Sequence, residues 1–164
     1  MKILVLSDSH GDVAAMTRAV RQFAPDLVLH LGDCLRDAMR LQEQIAPIPM
    51  EMVPGNCDFG THAPETRILE LGGVRILMTH GHRFQVKMSP LRAIYAAAEA
   101  QAQLLLYGHT HQALHTAQMG VQVLNPGSCG GPAGTCGIIE INEEDGSFRC
   151  ALETIGGTTN DSSH

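Results

Sequence analysis

Short apolar runs alternate along the first half of the chain with stretches in which apolar residues recur at helical spacing. After Lys2, residues 3–6 are all apolar, so 2–6 is predicted as a buried strand. Val13, Met16, Val20 and Phe23 then follow the 3.6-residue period behind Asp12, a capping residue type, which predicts a helix. Residues 27–31 repeat the strand pattern, Leu35, Ala38, Met39 and Ile45 mark a second helix, and residues 50–53 a third short strand. Beyond residue 65 the character changes. Runs 66–70 and 74–79 flank Gly72-Gly73, a hairpin signal that requires antiparallel pairing. Ser89-Pro90 opens a helix with Leu91, Ile94, Tyr95 and Ala98 on one face, proline taking the first helical position. A strand over 103–107 follows, then hairpins around Gly120 and around Glu143-Glu144-Asp145-Gly146.

A βαβαβ first half with a hairpin-rich second half predicts mixed sheets with helices outside them. A purely parallel dinucleotide-binding sheet fits poorly, because no G-x-G-x-x-G follows the first strand. The length of 164 residues, without internal repeat or linker, reads as one domain over residues 1–155. The Gly/Thr/Ser-rich segment 156–164 reads as a flexible tail.

The polar residues that interrupt this pattern fall in one kind of place. Strand 2–6 runs into Asp8-Ser9-His10, strand 27–31 into Gly32-Asp33, and strand 50–53 into Gly55-Asn56-Cys57-Asp58. Strand 74–79 runs into His80-Gly81-His82, and strand 103–107 into Gly108-His109-Thr110-His111. In open α/β sheets ligands bind beyond the carboxyl ends of the strands, so these side chains are expected to share one rim. Singly the fragments are weak, since Gly-Asp and Gly-Asn are more often turns than metal sites. Gly-His-x-His carries more, because residues two apart in extended chain project to the same side. The ordered set is hard to reconcile with five unrelated turns.

Asp8, His10, Asp33, Asn56, His80, His109 and His111 are seven candidate ligands, more than the four of a tetrahedral zinc site. An aspartate can bridge two cations through its two oxygens, so the set favours two ions over one. Imidazole, carboxylate and amide donors suit Mn²⁺, Fe, Zn²⁺, Co²⁺ or Ni²⁺, with Mn²⁺ the first expectation. Two such ions clamp the attacking and leaving oxygens of an in-line phosphoryl displacement.

Charge narrows the partners. The formal net charge is −6, with only Lys2 and Lys87 as lysines, so an extended nucleic-acid surface is not expected. A small anionic substrate remains compatible, because bound cations add positive charge. Five cysteines without a C-x-x-C pair read as free thiols of a reducing compartment, and a cytoplasmic location is expected. No apolar run approaches a membrane span, and oligomeric state is left open, a homo-oligomer included.

Taken together, these motifs resemble the calcineurin-like metallophosphoesterase superfamily, and within it the small single-domain bacterial and archaeal phosphodiesterases. The likeness runs from residue 1 to about residue 142 and extends to Asn125-Pro126-Gly127-Ser128, a loop typical of the small branch. It implies a four-layer αββα sandwich of two mixed sheets flanked by helices. By motif position Asp8, His10 and His111 would hold one metal, Asn56, His80 and His109 the second, and Asp33 would bridge both. A hydroxide between the ions would attack phosphorus, and Asp33, Asn56 and His82 would be catalytic, the last two also touching substrate. Many members carry histidine after the asparagine, where with the following acidic residue it protonates the leaving group. Here the position is Cys57, followed by Asp58, which leaves the acid unassigned, with His82 one candidate. Two rival readings remain: a scaffold like the related retromer subunit, whose metal site is degenerate, and a phosphomonoesterase using the same metals. Of the other histidines, His30 is expected as a packed strand residue, His62 and His115 as exposed.

Overall fold

Each predicted strand and helix is present in this computed structural model, which describes residues 1–156. In chain order they are β1 (Lys2–Leu6), α1 (Val13–Phe23), β2 (Leu27–His30), α2 (Leu35–Ile45), β3 (Met50–Met52), β4 (Thr66–Leu71) and β5 (Val74–Thr79). A short 3₁₀ turn (His82–Phe84) leads to α3 (Leu91–Glu99), β6 (Leu104–Leu106), β7 (Leu114–Gln118), β8 (Val121–Asn125), β9 (Thr135–Asn142) and β10 (Ser147–Thr154). The expected tail lies, from residue 157 on, outside the described residues.

The strands form two five-stranded sheets, ordered β10-β9-β1-β2-β3 and β4-β5-β6-β8-β7. Both are mixed. In the first, β1, β2 and β3 run parallel while β9 and β10 pair antiparallel. In the second, β5, β6 and β8 are parallel and both edge strands antiparallel. The strand period of two then builds the layers. Ile3, Val5 and Leu29 pack with Ile76, Met78, Leu104 and Leu106 between the sheets. Leu4, Leu6 and Val28 face the other way, onto Met16, Ala19, Ala38 and Leu41 of α1 and α2. Leu77, Leu105 and Val123 meet Ala93, Ile94 and Ala97 of α3. The result is the αββα sandwich, and strands covered on both faces explain the unbroken apolar runs.

Two helix faces differ from the pattern reading. On α2 the buried stripe includes Ala38, Leu41 and Ile45, while Met39 is 59% exposed. On α3 the alanines and Ile94 point inward, and Leu91 and Tyr95 lie outside. Small side chains let α3 approach its sheet closely, and the bulky residues are displaced outward. Pro90 sits at the cap position and the helix begins at Leu91. Among the described residues no helix is long and apolar enough to cross a membrane.

Candidate metal centre

The carboxyl ends of β1, β2 and β3 in one sheet, and of β5 and β6 in the other, meet at a common rim. Asp8, His10, Asp33 and Asn56 come from the first sheet, and His80, His109 and His111 from the second. They gather in two groups. Donor atoms of Asp8, His10 and His111 lie within 4.8 Å of one another, as do those of Asp33, His80 and His109. Asn56 joins the second group, its Oδ1 3.1 Å from His80 Nε2. Each group draws donors from both sheets.

The backbone is bent to make this rim. Asp8, His10, Asp33, His109 and His111 all have φ between 43° and 68°, a region non-glycine residues rarely occupy. Such conformations persist where surrounding structure enforces them, and they concentrate at functional sites. Glycines allow the strand-end loops to close on each other. A Cβ on Gly55 would overlap the Asp33 carboxylate, and one on Gly108 would overlap Ser7 Oγ and Asp8 Oδ2.

The donor atoms fit cations better than they fit each other. Asp8 Oδ2 accepts hydrogen bonds from Ser7 Oγ at 2.6 Å and from the His109 amide at 3.1 Å. Asp8 Oδ1 is buried without a hydrogen-bond partner, 3.2 Å from His111 Nε2 and 3.9 Å from both His10 Nε2 and His80 Nε2. A buried carboxylate oxygen left this way is costly unless a cation meets it. His80 donates from Nδ1 to the Leu31 carbonyl at 2.8 Å, which aims its Nε2 toward His109 Nδ1, 3.1 Å away. His10 Nε2 and His111 Nε2 approach to 3.2 Å. Asp33 has one oxygen 3.3 Å from His80 Nε2 and the other accepting from the Cys57 amide at 2.9 Å. Burial opposes its ionisation, but these two contacts prevail and hold the carboxyl well below the usual carboxylate range.

Behind the donors lies bracing that the sequence reading did not anticipate. Asp58 accepts from the amides of Asp33, Leu35 and Gly55 at 2.8–2.9 Å, tying the loops after β2 and β3 together. His30 is buried, as expected, but it is a network member. Its Nδ1 accepts from the Gly32 amide, so Nε2–H is directed to Ser9 Oγ, which donates to Asp37. Burial pushes the His30 pKa down to about 4, keeping this ring neutral. Asn125 donates to the Gly108 carbonyl and to Thr110 Oγ1, while Ser128 Oγ donates to the Asp8 carbonyl at 2.9 Å. The Asn-Pro-Gly-Ser turn thus straps the His109–His111 loop of one sheet to the Asp8 loop of the other. Its position directly after a strand was the available signal.

Cys57 is exposed and donates no ligand atom to either group. Partial burial and then the Asp33 charge push its thiol up, so it is protonated at neutral pH. His82 lies beside the second group, 5.5 Å from His80 and 6.2 Å from His109 between ring centroids. Its Nε2 is 4.0 Å from Glu65 and its buried Nδ1 is unpartnered. Burial and then the neighbouring His80 lower its pKa. His62 and His115 are exposed and away from both groups.

This fold and donor set define a metallophosphoesterase, and the comparisons agree. The chain matches the calcineurin-like phosphoesterase superfamily domain over residues 1–144 and belongs to that family. It is 36% identical over 130 residues to the probable metallophosphoesterase YsnB of Bacillus subtilis, covering 78% of this chain and 75% of the relative. It is 32% identical to the phosphodiesterase YfcE of Escherichia coli, covering 82% of each. A crystal structure of a predicted phosphoesterase from Streptococcus pneumoniae aligns with TM-score 0.75 and 31% identity, over 93% of this chain and 88% of that one. Vps29 from Entamoeba histolytica, solved in complex with zinc, shares the fold at 22% identity and TM-score 0.73, over 94% and 99% of the two chains.

Proposed function

We propose that the chain is a dinuclear metal-dependent phosphodiesterase. In this reading Asp8, His10 and His111 would hold one divalent ion, Asn56, His80 and His109 the other, and the Asp33 carboxylate would serve both. The observation that carries it is the buried, unpartnered Asp8 Oδ1 facing three imidazoles from two sheets. Bound, the ions supply an activated water for in-line attack and neutralise charge on the phosphoryl oxygens. Asn56 offers Oδ1 to the second group, while its amide nitrogen engages only Cys57 Sγ at 3.7 Å and is free to donate to a phosphoryl oxygen. His82 gives a proton to the departing oxygen, the role that the protonated Cys57 thiol does not fill. The intact donor set supports catalysis over a binding scaffold, since fold alone does not decide between them.

Diesters are favoured over monoesters by the phosphodiesterase name of the YfcE relative and by Cys57 at the usual acid position. The substrate is small, because the acidic chain carries no cationic track for a polymer backbone. Mn²⁺ is the proposed metal and the cytoplasm the proposed compartment. Hydrolysis of an aryl phosphodiester is expected to vanish in a strong chelator and to return best with Mn²⁺. Full turnover with metal analysis showing empty sites would end this account, and faster turnover of the matched monoester would reassign the substrate.

A further inference from the structure

Beside the second donor group the surface opens into a cleft of about 520 Å³ between the start of α2 and the segment Cys57–Thr61. It adjoins the centre on both walls, since Cys34 follows Asp33 and Cys57 follows Asn56. Two large apolar side chains in its lining are left in water, Phe59 at 91% and Met39 at 59% exposure. Arg36 shares the cleft and forms no ion pair among the described residues. The one carboxylate in the lining, Asp58, already accepts from three backbone amides.

These groups suit one kind of guest. A phenyl ring stacks on a flat π-system, a thioether makes favourable contacts at an aromatic ring, and a guanidinium lies over an aromatic face. No free carboxylate is present to exclude an anionic ester. The lining has a stacking surface but few side-chain groups for reading a hydrogen-bonding edge, so it discriminates aromatic from aliphatic rather than one base from another. We propose that this cleft binds a planar aromatic arm of the phosphoester substrate, of the kind a nucleobase supplies, stacked on Phe59 with Arg36 beside it. The inference rests on the phosphodiesterase reading and names the substrate class of that same centre.

The test uses product-like probes that share a phosphate and differ in the arm. Calorimetric titration of the Mn²⁺-loaded protein with adenosine 5′-monophosphate and with ribose 5-phosphate compares base and no base. The wild type is expected to bind the nucleotide about tenfold more tightly, the size of one base–aromatic stack. Phe59→Ala, at a solvent-exposed position that no packing depends on, is expected to reduce nucleotide affinity to that of the sugar phosphate and leave the latter unchanged. Uridine 5′-monophosphate should follow adenosine 5′-monophosphate within a few-fold. Equal affinity for nucleotide and sugar phosphate, or a preference that survives Phe59→Ala, would overturn the aromatic cleft while leaving the phosphodiesterase reading standing. A loaded protein that binds neither phosphate would remove both.

Discussion

Asp33 and Asp8 stand in contrasting surroundings, and this sets what each substitution does. Both Asp33 oxygens are engaged, by the Cys57 amide and the His80 ring, whereas Asp8 keeps one oxygen free of any partner. Asp33→Asn removes negative charge between two proposed cations and is expected to cost both metal occupancy and most activity. His62→Ala and His115→Ala, at exposed positions, should change neither, and wild-type rate and metal content in Asp33→Asn would refute the bridge. The proton donor calls for a finer measurement. General-acid assistance is worth about 10²–10⁴-fold and grows with the basicity of the leaving group. His82→Ala should therefore lose more on alkyl diesters than on aryl diesters, while Cys57→Ser keeps most activity on both. The sign of the pH effect follows from the lowered His82 pKa: its acid form becomes scarcer as pH rises. The wild-type advantage over His82→Ala on an alkyl diester should thus grow from about pH 8 to about pH 6. A flat leaving-group response would return the role to solvent. The donors themselves were legible because they sit at strand ends with glycine beside them. The Ser9–His30–Asp37 network was not, since a strand histidine and a helix aspartate that far apart in sequence give no local sign of contact.

At the scale of elements, strands were more legible than helix faces, for a physical reason. A strand buried on both sides needs only an apolar run, and 2–6, 27–31 and 74–79 have one. A helix face depends on how closely its neighbour approaches, which the hydrophobicity of Leu91 or Tyr95 does not encode. Alanines 93 and 97 settle α3 instead. The turn 125–128 shows the same boundary: its motif was visible, but its work as a strap between sheets appears only in three dimensions. Removing Asn125 leaves the Gly108 carbonyl, Thr110 Oγ1 and the Gly127 amide without that partner in a buried setting. Asn125→Ala is expected to weaken metal binding about 10- to 100-fold, as loss of a group that orients ligands does. It should also destabilise the metal-free fold by about 1–3 kcal/mol. Ser128→Ala, which removes one bond to the Asp8 carbonyl while the Cys129 amide still holds Ser7, should do less of both. Competition with a chelating dye and urea denaturation measure the two effects. Unchanged affinity in Asn125→Ala would mean that the His109–His111 loop holds its shape without the strap.

Across the whole molecule, the donors add to the strap in tying together two sheets whose main contact is an apolar layer. Sheet-to-sheet packing of Ile3, Val5, Ile76 and Leu104 has no direction of its own, so the rim depends on bracing and on what the donors hold. Each group of donors spans the seam, and the unfolded chain does not assemble either one. Metal binding should therefore appear as folding stability by mass action. One site at a hundredfold excess over its Kd adds about 2.7 kcal/mol, and each further tenfold of free metal adds about 1.4 kcal/mol. For a chain of this size, about 2–4 °C of melting temperature corresponds to each kcal/mol. Two independently filled sites give twice the rise per decade of metal that one site gives, so the slope counts the ions. Wild type is expected to gain about 6–11 °C per tenfold Mn²⁺ once both sites are being filled. His10→Ala, which touches only the group of Asp8 and His111, should keep about half that slope, and Asp33→Asn should lose most of it. The decisive comparison is between slopes, because a surface effect of the cation would raise all three proteins alike. Equal slopes in wild type and His10→Ala, with two ions bound per wild-type chain, would show that the first group does not couple metal to the fold. A single-ion slope with one ion bound would reduce the proposed dinuclear centre to a single-metal site.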